Sequence, residues 1–150
     1  QLSSFAAYKR QLIFCCFAVT DQPGFCQNHW VPYAGHCYYI ERSKKIWKEA
    51  STACHKEGAF LASIHNIEEH SFILHDKAKS FWIGMYKNID GSWLWIDNTV
   101  VDYVNWDNGE PSRHKEECVE IFSSSGKWNN MNCNSYRGYI LLYMIKKENN

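Results

Sequence analysis

Two cysteines, Cys118 and Cys133, lie fifteen positions apart and bracket the run Trp128-Asn129-Asn130, with Glu110-Pro111-Ser112 just upstream. A covalent tie between them would hold a cluster of oxygen-bearing side chains against a strand. A chain built this way folds around a stapled, irregular loop. That suits the display of a polar recognition surface better than covalent chemistry. There are seven cysteines in all, at 15, 16, 26, 37, 54, 118 and 133. Their wide spacing, without a Cys-x-x-Cys pair, argues for disulfides and an oxidising compartment rather than a zinc ribbon or a redox motif. Spacing alone allows several pairings, and an odd count leaves at least one thiol unpaired or bonded to another chain.

The 150 residues suggest one domain, long enough to bury a core. Sixteen basic and sixteen acidic residues give a formal net charge of zero. Nothing in that balance resembles a polybasic face, so nucleic acid is not an expected partner. The apolar run from Leu12 to Val19 follows Lys9 and Arg10. It is too short to cross a bilayer, so the chain is not expected to span a membrane itself. Residues 1–25 read as a signal-like, linker or fragment segment. Residues 26–145 read as the folded domain and 146–150 as a polar tail.

Within the domain, Cys37 to Ile40 reads as a strand. Ile46 to Glu57 reads as a helix, with Trp47, Ala50 and Cys54 on one face and Gly58 as its stop. Phe60 to Ile64 is a short strand. A second helix is expected after Asn66, with Glu69 completing a box-like start. Phe81 to Met85 is a buried strand, and Trp93 to Ile96 follows the Asp90-Gly91 turn. Residues 97–116 form a long polar loop of the kind that is usually functional or disordered. Cys118 to Phe122 and Tyr136 to Ile145 are strands, with a turn over Ser123 to Lys127. Early helices and late strands argue for an α+β fold. Trp82, Trp93, Trp95 and Trp128 are expected in the core. His65, His70 and His75 fall on different helical faces and so do not share a metal. His114 reads as a solvated side chain.

These residues resemble the C-type lectin-like domain over 26 to about 145, as found in multi-lectin endocytic receptors such as the macrophage mannose receptor and the secretory phospholipase A2 receptor. The resemblance rests on an ordered set: Cys26, Cys37-Tyr38-Tyr39, Trp47, Ala50, Cys54, Leu61 to Ile64, Phe81 to Met85, Trp93-Leu94-Trp95, Asn105-Trp106, Gly109-Glu110-Pro111, Cys118, Gly126 to Asn129, Cys133 and Gly138-Tyr139-Ile140. It implies a double-loop α+β fold with two helices flanking small antiparallel sheets. It also implies the disulfides Cys26–Cys37 and Cys118–Cys133. The family partner of Cys54 falls about where Leu141 stands here, so Cys54 is expected to be unpaired or to bond Cys15 or Cys16.

The family's sugar site is a calcium ion on oxygen ligands. Carried over residue by residue, the metal set is Glu110, Ser112, Glu116, Asn129 and Asn130, and the ligand-binding set adds Pro111, whose peptide bond is cis in the family. Ser112 replaces an Asn and Asn130 an Asp, so three carboxylates become two. Calcium affinity rises with carboxylate count, so calcium binding is expected to be weak or absent and calcium-dependent sugar binding weakened or lost. The resulting expectation is an extracellular ligand-recognition domain, either the ectodomain of a plasma-membrane or endocytic receptor or a secreted protein. Its partner is a glycan or a secreted protein, the latter met through Tyr103, Trp106 and polar neighbours. The alternative is a structural spacer domain that binds nothing. An enzyme is not expected. Glu110 and Glu116 could imitate a glycosidase pair, but no catalytic triad, phosphate-cradling loop or zinc-protease helix accompanies them.

Overall fold

The strand-forming stretches join into one sheet. In the computed structural model, which describes residues 25–73, 76 and 80–145, β1 (Val31–Tyr33) turns back into β2 (His36–Lys45), and α1 (Trp47–Lys56) follows. Then come β3 (Phe60–Leu61), a 3-10 helix (Glu68–Ile73), β4 (Ser80–Lys87), β5 (Trp93–Trp95), β6 (Cys118–Phe122), β7 (Trp128–Met131) and β8 (Arg137–Met144). The order across the sheet is β1-β2-β8-β4-β6-β7, with β3 on β8 and β5 on β4. β4 and β8 run parallel, with Phe81 opposite Gly138 and Trp82 opposite Tyr139. The other pairings are antiparallel. Cys26–Cys37 and Cys118–Cys133 are disulfides, and Cys54 is a buried free thiol. Cys15, Cys16, His75 and the tail at 146–150 lie outside the described residues.

The α+β class stands, with several corrections in detail. The expected small sheets are one connected eight-stranded sheet, because β8 bonds β2, β3 and β4 together. The expected second helix is, among the described residues, the 3-10 helix. Its cap forms as anticipated: Asn66 Oδ1 accepts from the N–H groups of Glu68 and Glu69, and Glu69 Oε2 accepts from His65 N–H at 2.6 Å. Among its described side chains, however, the buried ones are the adjacent polar residues Glu69 and His70. An α-helix docks through an apolar stripe at helical spacing, and a short 3-10 turn does not need one. The strand expected over 60–64 stops at Leu61. Beyond it, Ala62 still donates to Ile140 O and accepts from Gly84 N–H.

The sheet divides the core. On one face lie Tyr38, Phe81, Ile83, Met85, Trp95, Val119, Ile121 and Trp128. On the other, Trp82, Leu61, Tyr139 and Leu141 meet Ala50 and Cys54 of α1. β4 supplies both faces by simple alternation, which is why its apolar run is unbroken from Phe81 to Met85. Ala50 and Cys54, four apart, form the buried stripe of α1. The helix stops at Gly58, whose φ of 68° suits a residue without Cβ. Gly58 N–H bonds His55 O, and Ala59 N–H bonds Cys54 O. These two bonds satisfy the last carbonyls of the helix in a Schellman closure. At the other end, Trp47 N–H donates to Cys133 O at 3.0 Å and its indole Nε1 to Ile83 O at 2.9 Å. The helix start is thereby fixed to the stapled segment that carries the candidate site.

Candidate functional site

β7 is absent from the strands read from the sequence, where Asn129 and Asn130 give no strand signal. It forms because β6 offers a full antiparallel partner, from Cys118 opposite Met131 to Ile121 opposite Trp128. The disulfide from Cys118 holds the end of that pair. Trp128 supplies the anchor. It is 0% exposed, with Trp95, Tyr103 and Trp106 set edge-on around it at centroid distances of 5.6, 5.7 and 5.9 Å. Trp82 and Trp95 are also buried; Trp93 is half-buried and packs on Trp106 at 5.1 Å.

The long loop is pinned at its return to the sheet. Trp128 N–H donates to Asn105 O at 2.9 Å, and Asp107 N–H donates to Trp128 O at 2.8 Å. Its outward leg is tied by His65 Nδ1, 2.7 Å from Asp102 Oδ1. That hydrogen bond holds the Asp102 carboxyl below the usual carboxylate range. A turn from Asp107 to Glu110 then leads into a cis Glu110–Pro111 bond.

Past that bond, four of the sequence-predicted residues meet. Ser112 N–H is shared between Glu110 Oε2 at 2.6 Å and Asn130 Oδ1 at 2.8 Å. Ser112 Oγ donates to Glu116 Oε2 at 2.7 Å. The Asn130 Nδ2 group donates to Ser112 O at 3.2 Å and to Glu116 O at 3.0 Å. Asn130 is 1% exposed. Its amide pairs with the main chain of Ser112 in both directions and reaches on to Glu116. One buried side chain thus closes the loop on β7.

Asn129 is not part of that net. Burial alternates along β7: Trp128 and Asn130 are buried, Asn129 and Met131 half-buried. The strand pleat points Asn129 to the opposite side from Asn130. There its Nδ2 donates to Glu120 Oε1 at 3.0 Å. Glu120 is the polar residue that sequence reading missed. Within Cys118-Val119-Glu120-Ile121-Phe122 it is a carboxylate in an otherwise apolar strand, and that was the available signal. His114 is exposed, and its carbonyl accepts from Glu116 N–H. Among the described residues, no group of three or more His, Cys, Asp or Glu side chains is arranged to hold a metal.

A sheet of this topology, the disulfides Cys26–Cys37 and Cys118–Cys133, and a loop entering a cis Glu-Pro bond against a Trp-Asn-Asn strand define a C-type lectin-like fold. Residues 43–140 match the Lectin C-type domain, and the chain belongs to that family. It is 33% identical over 116 residues to human C-type mannose receptor 2. That match takes in 73% of this chain but spans only 8% of the receptor's length. Two solved structures are close in shape. A calcium-independent type II antifreeze protein has a TM-score of 0.76 and 28% identity, covering 81% of this chain and 96% of its own. The cow CD23 carbohydrate-recognition domain, determined in the presence of a GlcNAc2Man3 oligosaccharide, has a TM-score of 0.74 and 34% identity, covering 81% and 98%.

Proposed function

We propose that this chain is an extracellular ligand-recognition domain of an endocytic or other cell-surface receptor, with its loop held closed by the Asn130 amide rather than by calcium. The carrying observation is the direction of that amide: both Nδ2 bonds run to main-chain carbonyls of the loop, those of Ser112 and Glu116. An amide N–H supplies there the positive end that a cation would supply.

The residues fit calcium poorly. Calcium wants about six to eight oxygens, with carboxylates setting its affinity. Only Glu110 and Glu116 bring charge. Glu110 already accepts from Ser112 N–H, and Glu116 from the Ser112 hydroxyl. An ion would have to break those bonds and displace the Asn130 hydrogens. Similarity to a calcium-independent antifreeze protein supports a version of this fold that keeps its shape without the ion. Similarity to mannose receptor 2 supports the receptor setting, and the two disulfides support an oxidising, extracellular one. The relatives named are a receptor, a carbohydrate-recognition domain and an antifreeze protein, which favours recognition over catalysis.

On this reading the ligand is a glycan or a secreted protein, met by the rim around Glu110, Pro111, Ser112 and Glu116 and, on the other face of edge strand β7, by Asn129. A glycan array and a panel of secreted proteins, each screened with and without a chelator, test it. Binding that ignores the chelator is the expected result. Glycan binding abolished by the chelator would overturn it.

A further inference from the structure

Asn129 sits beside a buried ion pair that the loop net does not use. Glu120 lies at the middle of β6, 2% exposed, directly opposite Asn129 on β7. Its Oε2 accepts from Arg137 Nε at 2.5 Å and its Oε1 from Asn129 Nδ2 at 3.0 Å. The Arg137 guanidinium in turn lies 5.9 Å from the Trp82 ring centroid and donates through Nη1 to Tyr136 O. A carboxylate this deep needs a charged partner and further donors, and it has both.

An ionised carboxylate only accepts hydrogen bonds, so Asn129 must turn its NH2 toward Glu120. Its carbonyl oxygen then faces away from Glu120, on a half-buried side chain of the edge strand β7. From this we infer that Glu120 is a positioning residue for recognition: it locks Asn129 as an obligatory acceptor and selects ligand groups that donate. Hydroxyls of a neutral sugar qualify; acceptor-only groups such as sulfate do not. The inference rests on the reading of this rim as the ligand surface. Without Glu120 the Asn129 amide could present either end, and that preference would be lost.

Side-chain amide exchange in 15N-labelled protein tests the lock. The Asn129 NH2 pair should exchange about tenfold to a hundredfold more slowly than that of exposed Asn108, as a hydrogen bond to a charged group implies. Glu120→Gln should remove most of that protection. Asn129→Asp should lower the melting temperature by setting carboxylate against carboxylate, and the double variant Glu120→Gln, Asn129→Asp should recover much of the loss. Titration with methyl α-D-mannoside should shift the Asn129 signals, and inorganic sulfate should not. Wild-type exchange as fast at Asn129 as at Asn108 overturns the lock whatever the rim binds. A shift with sulfate overturns the selectivity. A protected pair that ignores both probes supports the lock and counts against the rim as the ligand surface.

Discussion

At Asn130 the choice between an amide and a carboxylate decides how the loop closes. Asp has nearly the same shape but cannot donate, so Asn130→Asp removes both bonds to the carbonyls of Ser112 and Glu116. It also adds a third carboxylate beside Glu110 and Glu116. In chelator the variant is expected to lose about 1–3 kcal/mol for each buried acceptor left unpaired. Added calcium should restore part of that loss, since the ion now has its charge. Thermal melts of both proteins, with and without calcium, check this, and the wild type should melt at the same temperature in both.

His70 is a second decisive residue. It is 3% exposed, its Nδ1 has no partner among the described residues, and a Cβ on Gly126 would fall 2.3 Å from its Nε2. Burial lowers its pKa below the ordinary 6.5. The unfolded chain therefore binds a proton more readily than the native one, and stability rises with pH. The His70 contribution is fully present above about pH 6.5 and is lost as pH falls from there toward the lower native value. Urea midpoints should fall between about pH 7.5 and 5.5, and His70→Asn should flatten the dependence.

At the scale of elements, the staple and the helix divide the work of holding the site. Cys118–Cys133 closes a loop of 15 residues, and by the chain-entropy treatment such a bond is worth about 3 kcal/mol. Replacing both cysteines by serine should lower the denaturation midpoint accordingly and free the end of β7. Elements with a strong local signature were legible in the sequence: β4 from its apolar run, α1 from its spacing and Gly58, and the cap at Asn66 from its box. β7 was not, because Asn129 and Asn130 carry no strand propensity; its pairing comes from β6 and from Trp128 packing into the aromatic cluster. The 3-10 winding of Glu68–Ile73 was equally hidden, since the burial of Glu69 and His70 depends on what covers them.

Across the whole molecule, the sheet is a partition that the linear sequence does not reveal. Asn129 and Asn130 are neighbours in the chain, and the resemblance placed both in one metal set. The pleat sends Asn130 to the loop net and Asn129 to Glu120. Glu110, Ser112 and Glu116 come together because they lie on one loop and face one strand residue, Asn130. The far side of the partition holds Cys54, whose thiol is pushed up to about 12 by burial in the cluster that also contains Leu141. It should resist alkylation until the protein unfolds. Leu141→Cys is expected to bond it and raise the melting temperature, because a bond between distant segments constrains the unfolded chain by about 4.6 kcal/mol. Loss of two mass units and of the free thiol would report the bond.

The most direct measurement is a calcium titration of the purified domain by calorimetry, run beside Asn130→Asp. If an amide does the work of a cation at this loop, the natural chain shows no saturable heat below about 1 mM calcium and the variant gains a one-to-one site. Stoichiometric micromolar binding by the natural chain would contradict the account.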